Sequence, residues 1–171
     1  PTTIPQEDIH QNTFGLFQDP EPELDPTYSR KNLVRTPAKI NHTQNLALLN
    51  LNTKETLRLK LKAGQKLSLY AQKKINYLLR DWRMNQVKDL DENILCNFFN
   101  VCGQFADAQS FLQVNIHSGF RSQKTNNYLR GRSNRVAKNS LHILGKAIDF
   151  SIPTKSPTQI AKVARVVTNG G

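Results

Sequence analysis

The sequence has little cysteine, tryptophan or methionine. It contains two cysteines, one tryptophan and one methionine among 171 residues. Cys96 and Cys102 share a segment with helical periodicity, which places them about 9 Å apart along a helix axis and disfavours a disulfide. We expect both thiols to be small buried apolar groups, and they leave the redox compartment open.

Long hydrophobic runs are also missing. No stretch of 18 or more apolar residues occurs, so the sequence predicts no membrane-spanning helix. Because the chain starts at Pro1 rather than at methionine, we expect that it is not the primary translation product, which leaves room for a targeting or anchoring segment that has been removed. A possible membrane anchor would then lie outside this chain.

Positive charge is absent from the first 29 residues, which hold six acids. The remaining 142 residues carry all 24 Lys and Arg against seven acids. A body this basic favours an anionic partner, such as nucleic acid, anionic lipid or a carboxylate-rich cell wall, although solubility alone would also explain it. Nucleic acid is not the expected partner, because the aromatic-rich basic motifs that bind it are lacking.

The chain divides into two regions of different composition. Residues 1–38 hold most of the eight prolines and the six acids without sustained periodicity, which predicts a flexible tail or linker. Residues 39–171 are predicted to form one folded domain. Its periodic segments predict a hairpin over 46–62, helices over 66–83, 91–105 and 122–130, strands over 112–117 and 147–152, and a last helix opened by Ser156 and Pro157. Ser122 is the predicted N-cap of the third helix. Without regular βαβ alternation, this order predicts an α+β fold with a mostly antiparallel sheet flanked by helices.

The most specific pattern is S-x-H-x-x-G-x-A-x-D, which fixes Ser140, His142, Gly145, Ala147 and Asp149. Imidazole nitrogen and carboxylate oxygen are both preferred zinc ligands. We expect His142 on an irregular loop, a sharp turn at Gly145, and Asp149 on the strand face that points away from the core. A salt bridge to one of the many basic residues is the alternative role for Asp149.

A second motif, Ser118-Gly119-Phe120-Arg121-Ser122, follows the strand over residues 112–117. The Arg121 guanidinium can bind a substrate carboxylate or stabilise an oxyanion there, or it can simply be solvated. If the two predicted strands pair, His117 shares a polar face with Asp149. His117 is then either a substrate or proton-transfer residue or a strand histidine hydrogen-bonded to a neighbour. The residues predicted to contact substrate or to orient the ligands through hydrogen bonds are Ser118, Ser140 and His117.

Five stretches of residues 40–171 also match the motifs of a known group. They are Arg80-Asp81-Trp82-Arg83, Ser118-Gly119-Phe120-Arg121-Ser122, Thr125-Asn126-Asn127-Tyr128-Leu129-Arg130, Val136-Ala137-Lys138-Asn139-Ser140-Leu141-His142 and Gly145-Lys146-Ala147-Ile148-Asp149-Phe150. With these motifs the chain resembles the zinc D-Ala-D-Ala peptidase and Hedgehog superfamily, and within it the periplasmic murein endopeptidase K group. Residues 1–38 lie outside the resemblance.

The resemblance implies a Hedgehog-like, DD-peptidase-like fold and a zinc peptidase that cleaves the stem-peptide cross-links of peptidoglycan. It implies a periplasmic or otherwise extracytoplasmic location in bacteria. Carried over to this chain, His142 and Asp149 would bind Zn²⁺, and Arg121 would contact substrate or the developing oxyanion.

The resemblance also implies a third zinc ligand, a histidine on a strand after the last helix. Gly170 and Gly171 match the start of the turn that precedes this strand, so we expect the ligand beyond Gly171. A catalytic zinc normally has three protein ligands and an open position. Two alternatives stay open: His117 completes the site, or the domain is a non-catalytic peptidoglycan-binding module.

Overall fold

A computed structural model of the chain describes residues 40–167, which contain one four-stranded sheet and five helices. The predicted tail over residues 1–38 and the residues predicted to end the last helix lie outside this range. The elements are β1 Gln44–Asn50, β2 Thr56–Leu61, α1 Leu69–Leu78, α2 Glu92–Gly103, β3 Leu112–Ser118, α3 Gln123–Arg130, α4 Leu141–Leu144, β4 Asp149–Ser151 and α5 Pro157–Val167.

The predicted hairpin is confirmed as an antiparallel pairing of β1 with β2. Along β2, Leu59 and Leu61 are buried while Arg58 and Lys60 are exposed, which is the period of two that the sequence shows. The connecting turn places Lys54 at a φ of 61°.

The sheet itself is mixed, so the prediction of a mostly antiparallel sheet is wrong, although the α+β class is confirmed. The strand order is β2-β1-β3-β4, and β3 runs parallel to β1. A parallel pair needs a long crossover connection, and the chain supplies one by folding α1 and α2 between β2 and β3. Since parallel and antiparallel strands bury alternate residues equally well, the alternation within β3 does not reveal its direction.

The hydrophobic core lies on the face of the sheet that α1 and α2 cover. The core residues come from both helices and from all four strands, or directly follow one of these elements. They include Leu46, Leu48, Leu59, Ile75, Leu79, Leu95, Phe99, Val114, Ile116 and Ile152. Phe98 of α2 packs edge-on against Phe150 of β4, with ring centroids 5.0 Å apart. This aromatic contact fixes β4 against the helical layer.

Helix α1 is shorter than the predicted helix over residues 66–83. It ends because the chain turns after Leu79, and a bridge between Asp81 and Gln86 closes that turn. Helix α2 begins as predicted, with the Asp91 carboxylate accepting from the backbone N–H groups of Asn93 and Ile94. As expected, Cys96 and Cys102 form no disulfide within residues 40–167. Cys102 is fully buried, whereas Cys96 is only partly buried, so the prediction of two buried thiols is wrong for Cys96.

Candidate metal centre and active site

The two sequence motifs meet where β3 pairs with β4. The pairing is antiparallel, and its register shifts between Ile116 and Ser118, so that Ser118 lies opposite Asp149. His117 lies within this irregularity, and its Nε2 is 2.9 Å from Ser151 Oγ on β4. The two predicted strands therefore pair, which was the condition for His117 to lie near Asp149.

His142 lies in the one-turn helix α4, so the prediction that it lies on an irregular loop is wrong. Ser140 is the N-cap of this helix, and its hydroxyl accepts from the His142 backbone N–H at 3.4 Å. Gly145 ends the turn at a φ of 71°, a conformation that costs glycine nothing. The Gly145 carbonyl also accepts from Asp91 N–H at 3.0 Å, which ties the turn to the start of α2.

The His142 side chain is buried, and its two ring nitrogens have different surroundings. Nδ1 lies 2.7 Å from the Gly119 carbonyl oxygen and 3.5 Å from Ser118 Oγ. Because a carbonyl only accepts, the short contact places a proton on Nδ1. Nε2 faces the Asp149 carboxylate, with Oδ2 at 3.2 Å.

This geometry fits a cation between the two side chains. A ring protonated on Nδ1 alone presents its Nε2 lone pair to the carboxylate oxygen, and two acceptors repel unless a proton or a metal ion lies between them. Zinc bound tetrahedrally to imidazole nitrogen and carboxylate oxygen at its usual bond lengths separates the two atoms by about 3.4 Å. The observed 3.2 Å between His142 Nε2 and Asp149 Oδ2 is close to that separation.

Within residues 40–167, no third His, Cys, Asp or Glu side chain joins this pair to form a three-ligand group. His117 therefore does not complete the site in the described part of the chain. Burial lowers the pKa of the His117 imidazole, and the nearby Asp149 carboxylate partly opposes this shift. The ring is consequently neutral at physiological pH and able to accept a proton.

Gly119, which was not among the predicted site residues, brings the second motif against the rest of the site. Its own carbonyl orients His142, and the next N–H group, that of Phe120, donates to the Leu79 carbonyl at 2.7 Å. A Cβ at position 119 would collide with Leu79. The glycine within the Ser-Gly-Phe-Arg-Ser motif could have indicated this contact, since only glycine permits such a close approach of two backbone segments.

Arg121 is buried beside this site and held at both ends. Its backbone N–H donates to the His142 carbonyl at 3.1 Å, and its guanidinium donates to Asn126 Oδ1 at 3.1 Å. Asn126 in turn donates to the Ala137 carbonyl at 2.9 Å, in the loop that leads to His142. Asn126 is thus a positioning residue that was not predicted from the sequence, because no motif spacing relates it to the Ala137 carbonyl.

Asp81 is a second missed positioning residue. It is 3% exposed, and its carboxylate accepts from the backbone N–H groups of Ser122, Arg83 and Met84 at 2.9, 3.1 and 3.3 Å. One buried carboxylate therefore fixes the turn after α1 against the start of α3, where Ser122 is the N-cap as predicted.

A buried histidine that faces a partly buried carboxylate, with an oriented arginine beside it, is compatible with a metal-dependent hydrolase. The family model described as peptidoglycan L,D-endopeptidase MepK, a branch of peptidase family M15, matches residues 38–171. The chain therefore belongs to the MepK family of peptidoglycan L,D-endopeptidases.

Two relatives from different bacteria match the same share of this chain. The probable peptidoglycan L,D-endopeptidase MepK of Haemophilus influenzae is 36% identical over 126 residues, which are 74% of this chain and 67% of that protein. The peptidoglycan L,D-endopeptidase MepK of Escherichia coli strain K12 is 34% identical over 126 residues, which are 74% of this chain and 68% of that protein. No solved structure matches the chain, so the Hedgehog-like architecture stays a prediction.

Proposed function

We propose that this chain is the catalytic domain of a zinc-dependent peptidoglycan endopeptidase that hydrolyses amide bonds in stem-peptide cross-links. The observation that carries the proposal is the 3.2 Å approach of His142 Nε2 to Asp149 Oδ2, with Nδ1 committed to the Gly119 carbonyl. Membership of the MepK family supports the reaction, and the relatives' names point to a bond between an L and a D centre.

His142 and Asp149 would hold the zinc ion, and a histidine expected beyond Gly171 would be the third ligand. Zinc bound there would act as a Lewis acid on the scissile amide and would activate water for attack. The Gly119 carbonyl holds the His142 ring in the tautomer that leaves Nε2 available. The Ser118 hydroxyl lies near the ring of the same histidine, and the Ser140 hydroxyl accepts from its backbone N–H.

Two further residues would act on the substrate. Arg121 has a guanidinium fixed by Asn126, so it can stabilise developing negative charge on the substrate without being reordered. His117, which is neutral and hydrogen-bonded to Ser151, can take up a proton during the reaction.

Peptidoglycan is the proposed partner, which implies an extracytoplasmic location, and the periplasm is the proposed compartment. The excess of basic residues would favour the anionic wall. Within residues 40–167, no helix has the length and apolar character needed to cross a membrane.

The proposal is tested with the full-length protein and with His142→Ala and Asp149→Asn variants. We expect about one zinc per wild-type molecule and release of muropeptides from cross-linked murein. Each variant should lose zinc affinity and activity by roughly 100-fold or more, since each removes a direct ligand. Zinc content is measured by elemental analysis and products by chromatography.

His42→Ala is the matched control, because His42 is exposed and hydrogen-bonds Gln104 at the end of α2. It should keep wild-type zinc content and activity. A wild-type protein that binds murein without zinc and without releasing products would overturn the proposal and favour the non-catalytic binding module.

A further inference from the structure

The outward face of helix α1 carries large apolar side chains, where a surface helix normally has polar ones. We call it the α1 outer face, and its five exposed side chains are Leu69, Tyr70, Lys73, Lys74 and Tyr77. At the rotation of an α-helix, these positions fall within about 140° of the helix circumference. They lie opposite the side that buries Ile75 in the core.

Three of these side chains are large and extend into solvent. Leu69 is 77% exposed, Tyr70 is 72% exposed and Tyr77 is 48% exposed. Single apolar residues on a surface are ordinary, whereas several on one face mark a contact site. Packing within residues 40–167 therefore leaves the α1 outer face uncovered.

The charge around this face has one sign. Residues 62–80 contain no Asp or Glu and five basic residues, which are Lys62, Lys66, Lys73, Lys74 and Arg80. Arg80 forms an ion pair with Glu55 at 2.7 Å, whereas the four lysines are exposed. Lys74 Nζ lies 5.5 Å from the centre of the Tyr70 ring, so a cation and an aromatic ring are presented together.

This combination of side chains favours one kind of partner. Leu69 has no polar group, so a hydrated glycan gains little from contact with it, whereas the apolar interior of a bilayer removes it from water. Tyrosine combines an apolar ring with a hydroxyl and is enriched at membrane–water interfaces. Lysines near a membrane surface are attracted to anionic lipid. A second copy of the chain, docked through a two-fold axis, would instead place Lys73 and Lys74 against the same lysines.

The α1 outer face lies away from the candidate metal centre. The site meets this part of the chain at Leu79, whose carbonyl accepts from Phe120 N–H at 2.7 Å. Leu79 is buried, on the opposite side of the helix from the outer face and about 15 Å along the axis from Leu69. A bilayer on the outer face would therefore not occupy the site.

We propose that the α1 outer face is a peripheral membrane-binding surface for bilayers that contain anionic phospholipid. Leu69 and Tyr70 would insert between the lipid headgroups. Lys66, Lys73 and Lys74 would contact the lipid phosphates. Apolar insertion and a cluster of basic residues together supply the two signals that stable attachment requires. The inference goes beyond the proposed peptidase function and does not depend on the metal centre.

The test compares the binding of the full chain, residues 1–171, to two kinds of lipid vesicle by co-sedimentation. One kind is phosphatidylcholine alone, and the other is equal parts of phosphatidylcholine and phosphatidylglycerol. We expect partitioning into the anionic vesicles to be tighter by about 10-fold or more, because their surface potential attracts the lysines. High salt should weaken this preference by screening the charges.

Two double variants separate the contributions of apolar insertion and charge. Leu69→Gln/Tyr70→Gln should weaken partitioning into the anionic vesicles by about 10-fold or more, since it removes the inserting groups. Lys73→Gln/Lys74→Gln should weaken the same partitioning by about 10-fold and should not change binding to phosphatidylcholine. Because all four side chains are exposed, both variants should keep the wild-type melting temperature.

The matched control lies on α5, where Lys162 and Val166 are also exposed. Lys162→Gln/Val166→Gln should bind both kinds of vesicle as the wild type does. Fluorescence then tests insertion directly. Emission from Tyr70→Trp should shift to shorter wavelengths when anionic vesicles are added, because the ring leaves water, whereas emission from Val166→Trp should not shift. Trp82 is present in both variants, so its contribution cancels in the comparison.

Several results would overturn the proposal. They are equal binding of the wild type to both kinds of vesicle, and wild-type binding by either of the two α1 double variants. A wild type that binds neither vesicle would also overturn it. If neutralising Asp19, Glu21, Glu23 and Asp25 then produced binding to anionic vesicles, the face would be assigned to this acidic segment instead. Muropeptide release in solution should be unchanged in the α1 variants, so a failure of the peptidase function and a failure of this inference are distinguishable.

Discussion

Replacing Gly119 by alanine tests how the candidate ligand His142 is held. An alanine Cβ would lie 2.8 Å from Leu79 Cβ and 3.0 Å from Leu79 Cα, and still closer to the Leu79 carbonyl oxygen. Carbon atoms in contact normally stay about 3.5–4.0 Å apart, so the end of β3 must move by about 1 Å. The backbone that moves carries the carbonyl that binds His142 Nδ1 at 2.7 Å.

Two effects should follow in Gly119→Ala. Overpacking against Leu79 should lower the free energy of unfolding by about 1–3 kcal/mol. A displacement of about 1 Å in the group that orients a ligand should lower activity by up to about 100-fold, with a fall in zinc affinity. Urea denaturation measures the stability, competition with a chromophoric chelator measures the zinc affinity, and muropeptide release measures the activity.

Gly131→Ala is the matched control for this variant. A Cβ at Gly131 would approach no heavy atom closer than the Tyr128 carbonyl oxygen at 3.5 Å, an ordinary contact. We therefore expect near wild-type stability, zinc affinity and activity. A Gly119→Ala protein with wild-type zinc affinity would refute the role of the Gly119 carbonyl, whatever its stability.

Two predictions concern stability and thiol chemistry away from the site. The hydrogen bonds from Arg80 hold the pKa of Glu55 below its ordinary value of 4.5, so the pair stabilises the fold above that pH and loses its effect as the pH falls through the lowered pKa. Glu55→Gln should cost about 0.5–1 kcal/mol at pH 7, and a difference from the wild type that persisted unchanged at pH 3 would contradict this. Burial raises the pKa of the Cys102 thiol well above its usual range, whereas Cys96 is partly exposed. A disulfide reagent should therefore modify Cys96 in the native protein and both thiols in denaturant, and two fast-reacting native thiols would count against the buried position of Cys102.

Local patterns predicted the parts of the fold that local forces determine. The alternation in β2 and the N-cap at Ser122 follow from backbone geometry within a few residues, and the structure contains both. The direction of β3 depends on a crossover through two helices, which no local period records. The one-turn helix around His142 is too short to produce a helical repeat in the sequence.

The candidate site divides in the same way. The His142 and Asp149 pattern predicted a pair of side chains, and the structure brings them to 3.2 Å. Ser118 and Ser140 were predicted to orient the ligands, and the structure places both hydroxyls against His142. The roles of Asn126 and Asp81 were not predictable, although both lie in matched motifs, because their bonds to the Ala137 carbonyl and the Ser122 N–H join residues 11 and 41 positions apart. Hydrogen-bonding side chains of this kind have no characteristic spacing, so only the folded chain identifies them.

The parallel pairing of β1 with β3 has a consequence for the order in which the domain folds. The β1–β2 hairpin joins neighbours, whereas Leu46 meets Leu112 only after the chain closes a loop of more than 60 residues. Loop closure of this length slows folding, so the hairpin can form early and the β3–β4 region late. A metal ion that binds only the finished His142–Asp149 pair would stabilise the native state relative to these partly folded chains. Zinc would then shift the equilibrium of the last folding step towards the native state and leave the formation of the hairpin unchanged.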